Sequence, residues 1–185
     1  MRRVFVCYNK IVQYRTGMGG MKMAKENSFD VVSGVDMQEV ANAVNQASKE
    51  ISTRYDFRGS KSSIALDKEQ ITLLCDDDFK LRLVREILSG KLVKRSVPLK
   101  NIRDGKKENA AGSMVRQILD IQMGLSKDQA KEIVKLVKGS GLKVSTQIQD
   151  TQVRVSGKDK DTLQETIAYL KKQDFPVELQ FVNFR

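Results

Sequence analysis

The order of hydrophobic periodicities along the chain occurs twice, and this constrains the fold more than any single motif. A period-two apolar run, a helical stripe, two period-two runs joined by a polar turn, a second helical stripe and a closing apolar run lie between Phe29 and Arg103. The same order returns between Met114 and Phe184. A strand buries alternate residues and a helix buries every third or fourth, so each run names its element.

In the first repeat Phe29–Ser33 reads as a strand. Asp36, with Glu39 three residues on, opens a helix whose stripe is Met37, Val40, Val44, Ala47 and Ile51. Ser63–Leu66 and Gln70–Cys75 form a hairpin across Asp67-Lys68-Glu69. Asp76-Asp77-Asp78 places negative charge where a helix dipole favours it, and Phe79, Leu83, Ile87 and Lys91 share one face of the helix that follows. Pro98 stops that helix, Leu99–Arg103 closes the repeat, and polar Asp104–Gly112 reads as a linker. In the second repeat Met114–Met123 is a strand, Ser126 and Gln129 make a capping box, and Ala130, Ile133, Val134 and Val137 form the stripe. Leu142–Gln149 and Gln152–Ser156 form a hairpin turning at Asp150-Thr151, Leu163, Ile167 and Leu170 mark the next helix, and Val177–Phe184 ends the repeat.

Strand-helix-strand-strand-helix-strand is the split βαβ order. The expected fold is therefore α+β: two tandem ferredoxin-like (βαββαβ) domains, 28–104 and 105–185, each a four-stranded antiparallel sheet with both helices on one face. Residues 1–27 form an N-terminal extension outside that pattern. Their short apolar stretch Val4–Tyr8 is broken by Asn9 and Lys10, so a secretory signal is not expected, and Met23 is an alternative start.

Composition narrows the chemistry. The chain has no histidine, which removes the commonest general acid-base and metal ligand. Two distant cysteines, Cys7 and Cys75, make neither a zinc site nor a disulfide framework, and Cys75 reads as a buried thiol in a reduced, cytoplasmic protein. No apolar stretch reaches the ~18 residues of a membrane span. No glycine-rich phosphate loop or nucleophile-base pair is visible, so a binding protein is expected, with no catalytic residues, metal or cofactor. The net charge of +10 is uneven: residues 91–185 carry 19 basic and 11 acidic side chains. That asymmetry suggests a polyanion.

Three basic clusters are candidate nucleotide contacts. Arg54, Phe57, Arg58 and Lys61 combine cations with an aromatic just beyond a helix, a stacking and phosphate-pairing set. The competing reading tucks Phe57 into the core. Lys91, Lys94 and Arg95 share a helical turn, where they either clamp phosphates or answer the helix dipole. Lys143, Gln147, Arg154 and Lys158 fall on the open face of the second hairpin, with Arg116 expected beside them from the strand at 114–123. Amides and arginines there can meet phosphates and base edges. The outward positions Thr72, Leu74, Arg116 and Arg154 offer no ring, so base stacking in the RNA-recognition-motif manner is not expected.

The segments Ser28-Phe29-Asp30-Val31-Val32-Ser33, Arg54-Tyr55-Asp56-Phe57-Arg58-Gly59, Lys91-Leu92-Val93-Lys94-Arg95, Leu142–Gln149 with Gln152–Lys158, and Leu179-Gln180-Phe181-Val182-Asn183-Phe184-Arg185 resemble, in that order, the YajQ family of bacterial nucleotide-binding proteins. The resemblance runs from about Ser28 to Arg185. It implies tandem ferredoxin-like domains that exchange their N-terminal strands. It also implies nucleotide or RNA binding without catalysis and, in some members, cyclic di-GMP sensing linked to a regulatory protein partner. It implies no pocket that transfers residue by residue. A ligand-regulated protein-interaction adaptor is the competing functional reading.

Overall fold

The computed structural model describes residues 27–185. Residues 1–26 of the N-terminal extension, with the alternative start at Met23, lie outside the described residues, whereas Asn27, expected outside the fold, opens the first strand. Eight strands and four helices follow in chain order: β1 (Asn27–Val32), α1 (Met37–Thr53), β2 (Ser63–Asp67), β3 (Gln70–Cys75), α2 (Asp78–Lys94), β4 (Ile102–Ala110), β5 (Met114–Ile121), α3 (Lys127–Gly139), β6 (Val144–Gln149), β7 (Gln152–Gly157), α4 (Lys160–Lys171) and β8 (Gln180–Val182). They form two four-stranded antiparallel sheets, β6-β7-β1-β8 and β2-β3-β5-β4, in a tandem ferredoxin-like arrangement.

The first strand of each repeat sits in the sheet of the other. β1 pairs with β7 (Phe29 opposite Val155) and with β8 (Val31 opposite Phe181), whereas β5 lies between β3 and β4. Four residues, Ser33–Asp36, carry the chain from β1 to α1, and Gln122–Ser126 carry it back from β5 to α3. Arg116 therefore leaves the face where it was expected beside Arg154. It stands opposite Glu108 of β4 and pairs with it at 2.6 Å.

Each sheet has its own core. Val40, Ala43, Val44, Ala47 and Ile51 of α1 and Leu81, Val84, Leu88 and Leu92 of α2 pack on Ile71, Leu73, Cys75 and Leu119. Ala130, Ile133 and Val137 of α3 and Leu163, Ile167 and Leu170 of α4 pack on Phe29, Val31, Val153 and Val155. Burying each large aliphatic side chain contributes about 1.5–3 kcal/mol before chain entropy is counted. Helix starts are capped as the sequence suggests: Asp36 accepts from the Gln38 and Glu39 N–H groups, and Ser126 and Gln129 form the reciprocal box. Cys75 is buried, which raises its thiol pKa.

Three sequence expectations are corrected. Asp104–Gly112 is no linker: most of it belongs to β4, hairpin-paired to β5. Its charges are those of an edge strand, whose outer side meets water. The register shifts between Asp104 and Lys107, and a Cβ on Gly105 would stand 2.5 Å from the Ile118 carbonyl oxygen, so only glycine fits this approach. Leu99–Asn101 is a single 3-10 turn before β4 rather than the start of a strand. Finally, Phe79, Leu83 and Ile87 do not form the buried face of α2. Phe79 is 62% exposed and the other two are half-buried, because the parallel stripe at 81, 84, 88 and 92 faces the sheet.

Asn101 joins the two sheet units. Its Nδ2 donates to Ser33 Oγ (2.8 Å) and to the Gln122 carbonyl (3.1 Å), and its Oδ1 accepts from the Glu178 N–H (3.0 Å). The side chain is fully buried; Ser33 and Gln122 lie on the two connections between the units, and Glu178 lies in the loop that leads into β8.

Candidate functional site

Helix α1 ends at Arg54, whose N–H still closes on the Glu50 carbonyl (3.0 Å) while its φ/ψ turn extended. That places the guanidinium over the last turns of α2, which packs beside α1. Between them lies a cavity of about 290 Å³ lined by Glu50 and Arg54 from α1 and by Leu83, Glu86, Ile87, Gly90, Lys91 and Lys94 from α2. Cations from two sequence clusters, 37 residues or more apart, meet here.

The groove has two chemically distinct ends. Leu83 and Ile87 form an apolar stretch, and one turn beyond Phe79 stands with the Arg82 guanidinium 6.0 Å from its ring centre. Arg54, Lys91 and Lys94 form a cationic stretch at the C-terminal end of α2, where the helix dipole favours positive charge. Glu50 lies among them, accepting from Lys91 Nζ and from Arg54 Nη1 (3.5 Å). The Lys91 hydrogen bond is the main reason the Glu50 carboxyl titrates below its ordinary value. Arg54 Nη2 also reaches Asp56 at 2.7 Å, and this bond is the main reason its pKa is raised. All these carboxylates are partly open to water. Lys94 makes no ion pair among the described residues.

Gly90 lies in the same wall. It is an interior residue of α2, and a Cβ there would meet nothing within 4 Å. Its φ is outside the left-handed region that demands glycine. A glycine in mid-helix costs about 1 kcal/mol relative to alanine.

The remaining candidates are placed as follows. Phe57 is 5% exposed, packed in the core under α1 and α2 and open only where it lines a cavity with Arg58, and the exposed aromatic of that loop is Tyr55. Arg58 opens into this second cavity, about 430 Å³ between α1 and β2, whose lining includes Ser48, Ser52, Ser60, Ser62 and Ser63. Lys61 is exposed and donates its backbone N–H to Asp76 Oδ1 (3.1 Å). Asp76 is also held by Lys80 and by Ser60, which together lower its pKa to about 2. Arg95 turns away from the groove to Glu39 (3.3 Å).

On the open face of the other sheet Gln147 stands opposite Arg154, with Lys143 and Lys158 exposed at its margins. Arg154 is committed there. Its Nε and Nη2 donate to Asp30 Oδ1 (2.7 Å) and Oδ2 (3.0 Å), and Asn183 adds a third hydrogen bond to the same carboxylate. Asp30 is 1% exposed, and the Arg154 hydrogen bond outweighs burial to hold its pKa below the ordinary carboxylate range. Asp30 was missed in the sequence because it arrives on the exchanged strand β1, 124 residues from Arg154. Its signal was an acid at the outward position between inward Phe29 and Val31.

The family described as nucleotide-binding protein YajQ-like matches residues 27–185. A protein of Desulfitobacterium hafniense named nucleotide-binding protein is 58% identical over 163 residues, covering 88% of this chain and all of its own length. One from Bacillus cytotoxicus, named in the same way, is 54% identical with the same coverage. A third, from Geobacter, is 57% identical over 158 residues, covering 85% of this chain and 98% of its own.

Proposed function

Because the chain belongs to the YajQ-like family of nucleotide-binding proteins, we propose that it binds RNA or a cyclic guanine dinucleotide, without catalysis, through the cations of the α1–α2 groove. The observation that carries the reading is the convergence of Arg54, Lys91 and Lys94 on one cavity. Phosphate oxygens accept from guanidinium and ammonium groups more strongly than neutral acceptors do. A phosphate entering the groove replaces Glu50 as their partner, and Glu50 returns to water at small cost because it is already partly solvated. Arg58, Lys61, Lys143 and Lys158 supply further exposed cations along which a longer strand can track. The expected location is the cytoplasm, where such ligands are made.

Fluorescence anisotropy at two salt concentrations tests this, with single-stranded RNA, transfer RNA, cyclic di-GMP and a mononucleotide as labelled ligands. Steep salt dependence for RNA means several phosphate contacts on an extended surface. Tight, weakly salt-dependent binding of the cyclic dinucleotide means a formed pocket. The Arg54→Ala/Lys94→Ala double variant is expected to lose at least about tenfold in affinity for the bound ligand. Unchanged binding in that variant removes the groove, and no binding of any ligand by the wild type removes the function.

A further inference from the structure

We infer that the α1–α2 groove seats a single nucleotide unit in one orientation, with Gly90 kept bare so that the base or ribose can lie against the backbone of α2. This rests on the nucleotide-binding reading above and assigns to it a seat, a size and a polarity.

Gly90 is the starting observation. Neither its backbone conformation nor the packing around it calls for glycine, and α2 is weakened by it. What the missing side chain does provide is an open wall between Ile87 and the lysines at 91 and 94. A second, independent observation is the half-buried apolar stripe. Leu83 and Ile87 lie beside the fully buried row of α2: they pack partly on the core, and the part left open lines the groove, with Glu86 beside them.

The two ends fix the orientation. Leu83 and Ile87 offer a dry surface for the flat face of a base, and Arg54, Lys91 and Lys94 offer donors for its phosphate. Glu86, exposed between them, accepts from a base N–H or a ribose hydroxyl. The cavity, about 290 Å³, is at the lower limit of ligand sites. It takes one nucleotide, so the second half of a cyclic dinucleotide, or the next residue of an RNA, lies outside it.

The test uses the full chain with three labelled probes: GTP, cyclic di-GMP and a short single-stranded RNA. Gly90→Leu fills the groove and is expected to weaken every probe that the wild type binds by at least about tenfold. Gly90→Ala is expected to raise the melting temperature by a few degrees and yet weaken binding, two effects that a purely structural glycine would not combine. Gly139→Ala, at the end of α3 and equally free of neighbours, leaves affinity unchanged. Wild-type affinity in Gly90→Leu overturns the seat while leaving nucleotide binding in place. A wild type that binds none of the probes overturns the seat and the nucleotide reading together.

Discussion

Arg54 and Arg154 are both arginines hydrogen-bonded to carboxylates, and the carboxylates make them different. Arg54 faces Glu50 and Asp56, which water also reaches. Arg154 faces Asp30, buried in the middle of a sheet and held by a third hydrogen bond from Asn183. A partly solvated carboxylate can be exchanged for a phosphate at little cost, whereas removing the partner of a buried one leaves a stranded charge. The comparison separates a cation available to a ligand from one consumed by the fold, although both looked alike as residue types.

The comparison breaks first in a crossed pair of variants. Arg154→Ala is expected to lower the melting temperature by on the order of 10 °C, because Asp30 loses its main partner, while nucleotide affinity holds. Arg54→Ala should do the reverse in the same thermal and anisotropy measurements. If Arg154→Ala loses affinity at unchanged stability, the open face of that sheet is the site. Next in size is Asn101→Ala, which deletes three hydrogen bonds at the joint between the sheet units and should cost about 3 kcal/mol in urea unfolding. Biphasic unfolding in that variant would show that Asn101 also couples the two units.

Glu50→Gln sharpens the contrast. Releasing Lys91 and Arg54 from a competing carboxylate should tighten nucleotide binding about threefold at low salt, fading as salt rises. Weaker binding would mean that Glu50 positions those cations for the ligand.

The smallest effect is a pH dependence. Asp76, lowered to about 2, has its native pKa below the unfolded value near 3.8, so the unfolded state binds the proton first. Its contribution is present above about pH 4 and is lost as pH falls toward 2. After solvent screening it is less than about 1 kcal/mol. Asp76→Asn should flatten the stability curve across that window, and an unchanged slope would place the acid sensitivity on Asp30 instead.

Much of the fold was legible because both repeats announce their elements by local period and by capping residues such as Asp36, Ser126 and Gln129. The destination of β5 was not legible from pattern, since Val115, Leu119 and Ile121 bury equally well under either pair of helices; only the family resemblance implied the exchange. β4 was read as a linker because an edge strand with a bulge at Gly105 carries no clean alternation. α2 carries two apolar stripes, and packing against the sheet, rather than hydropathy, chose between them. For the candidate site, Arg54, Lys91 and Lys94 could be named as cations, but their meeting depends on how α1 crosses α2. The loss of Arg154 to Asp30 depends on a strand borrowed from the other repeat.

That borrowing also sets an order of events during synthesis. β1 is made early, yet the strands on either side of it, at 152–157 and 180–182, are among the last of the described residues to leave the ribosome. The strand must therefore wait, with Asp30 in water and Phe29 and Val31 uncovered, until β7 has emerged, and its other edge stays open until β8 follows. A messenger truncated a few codons before residue 180 would yield a chain in which β1 pairs with β7 but keeps its other edge open.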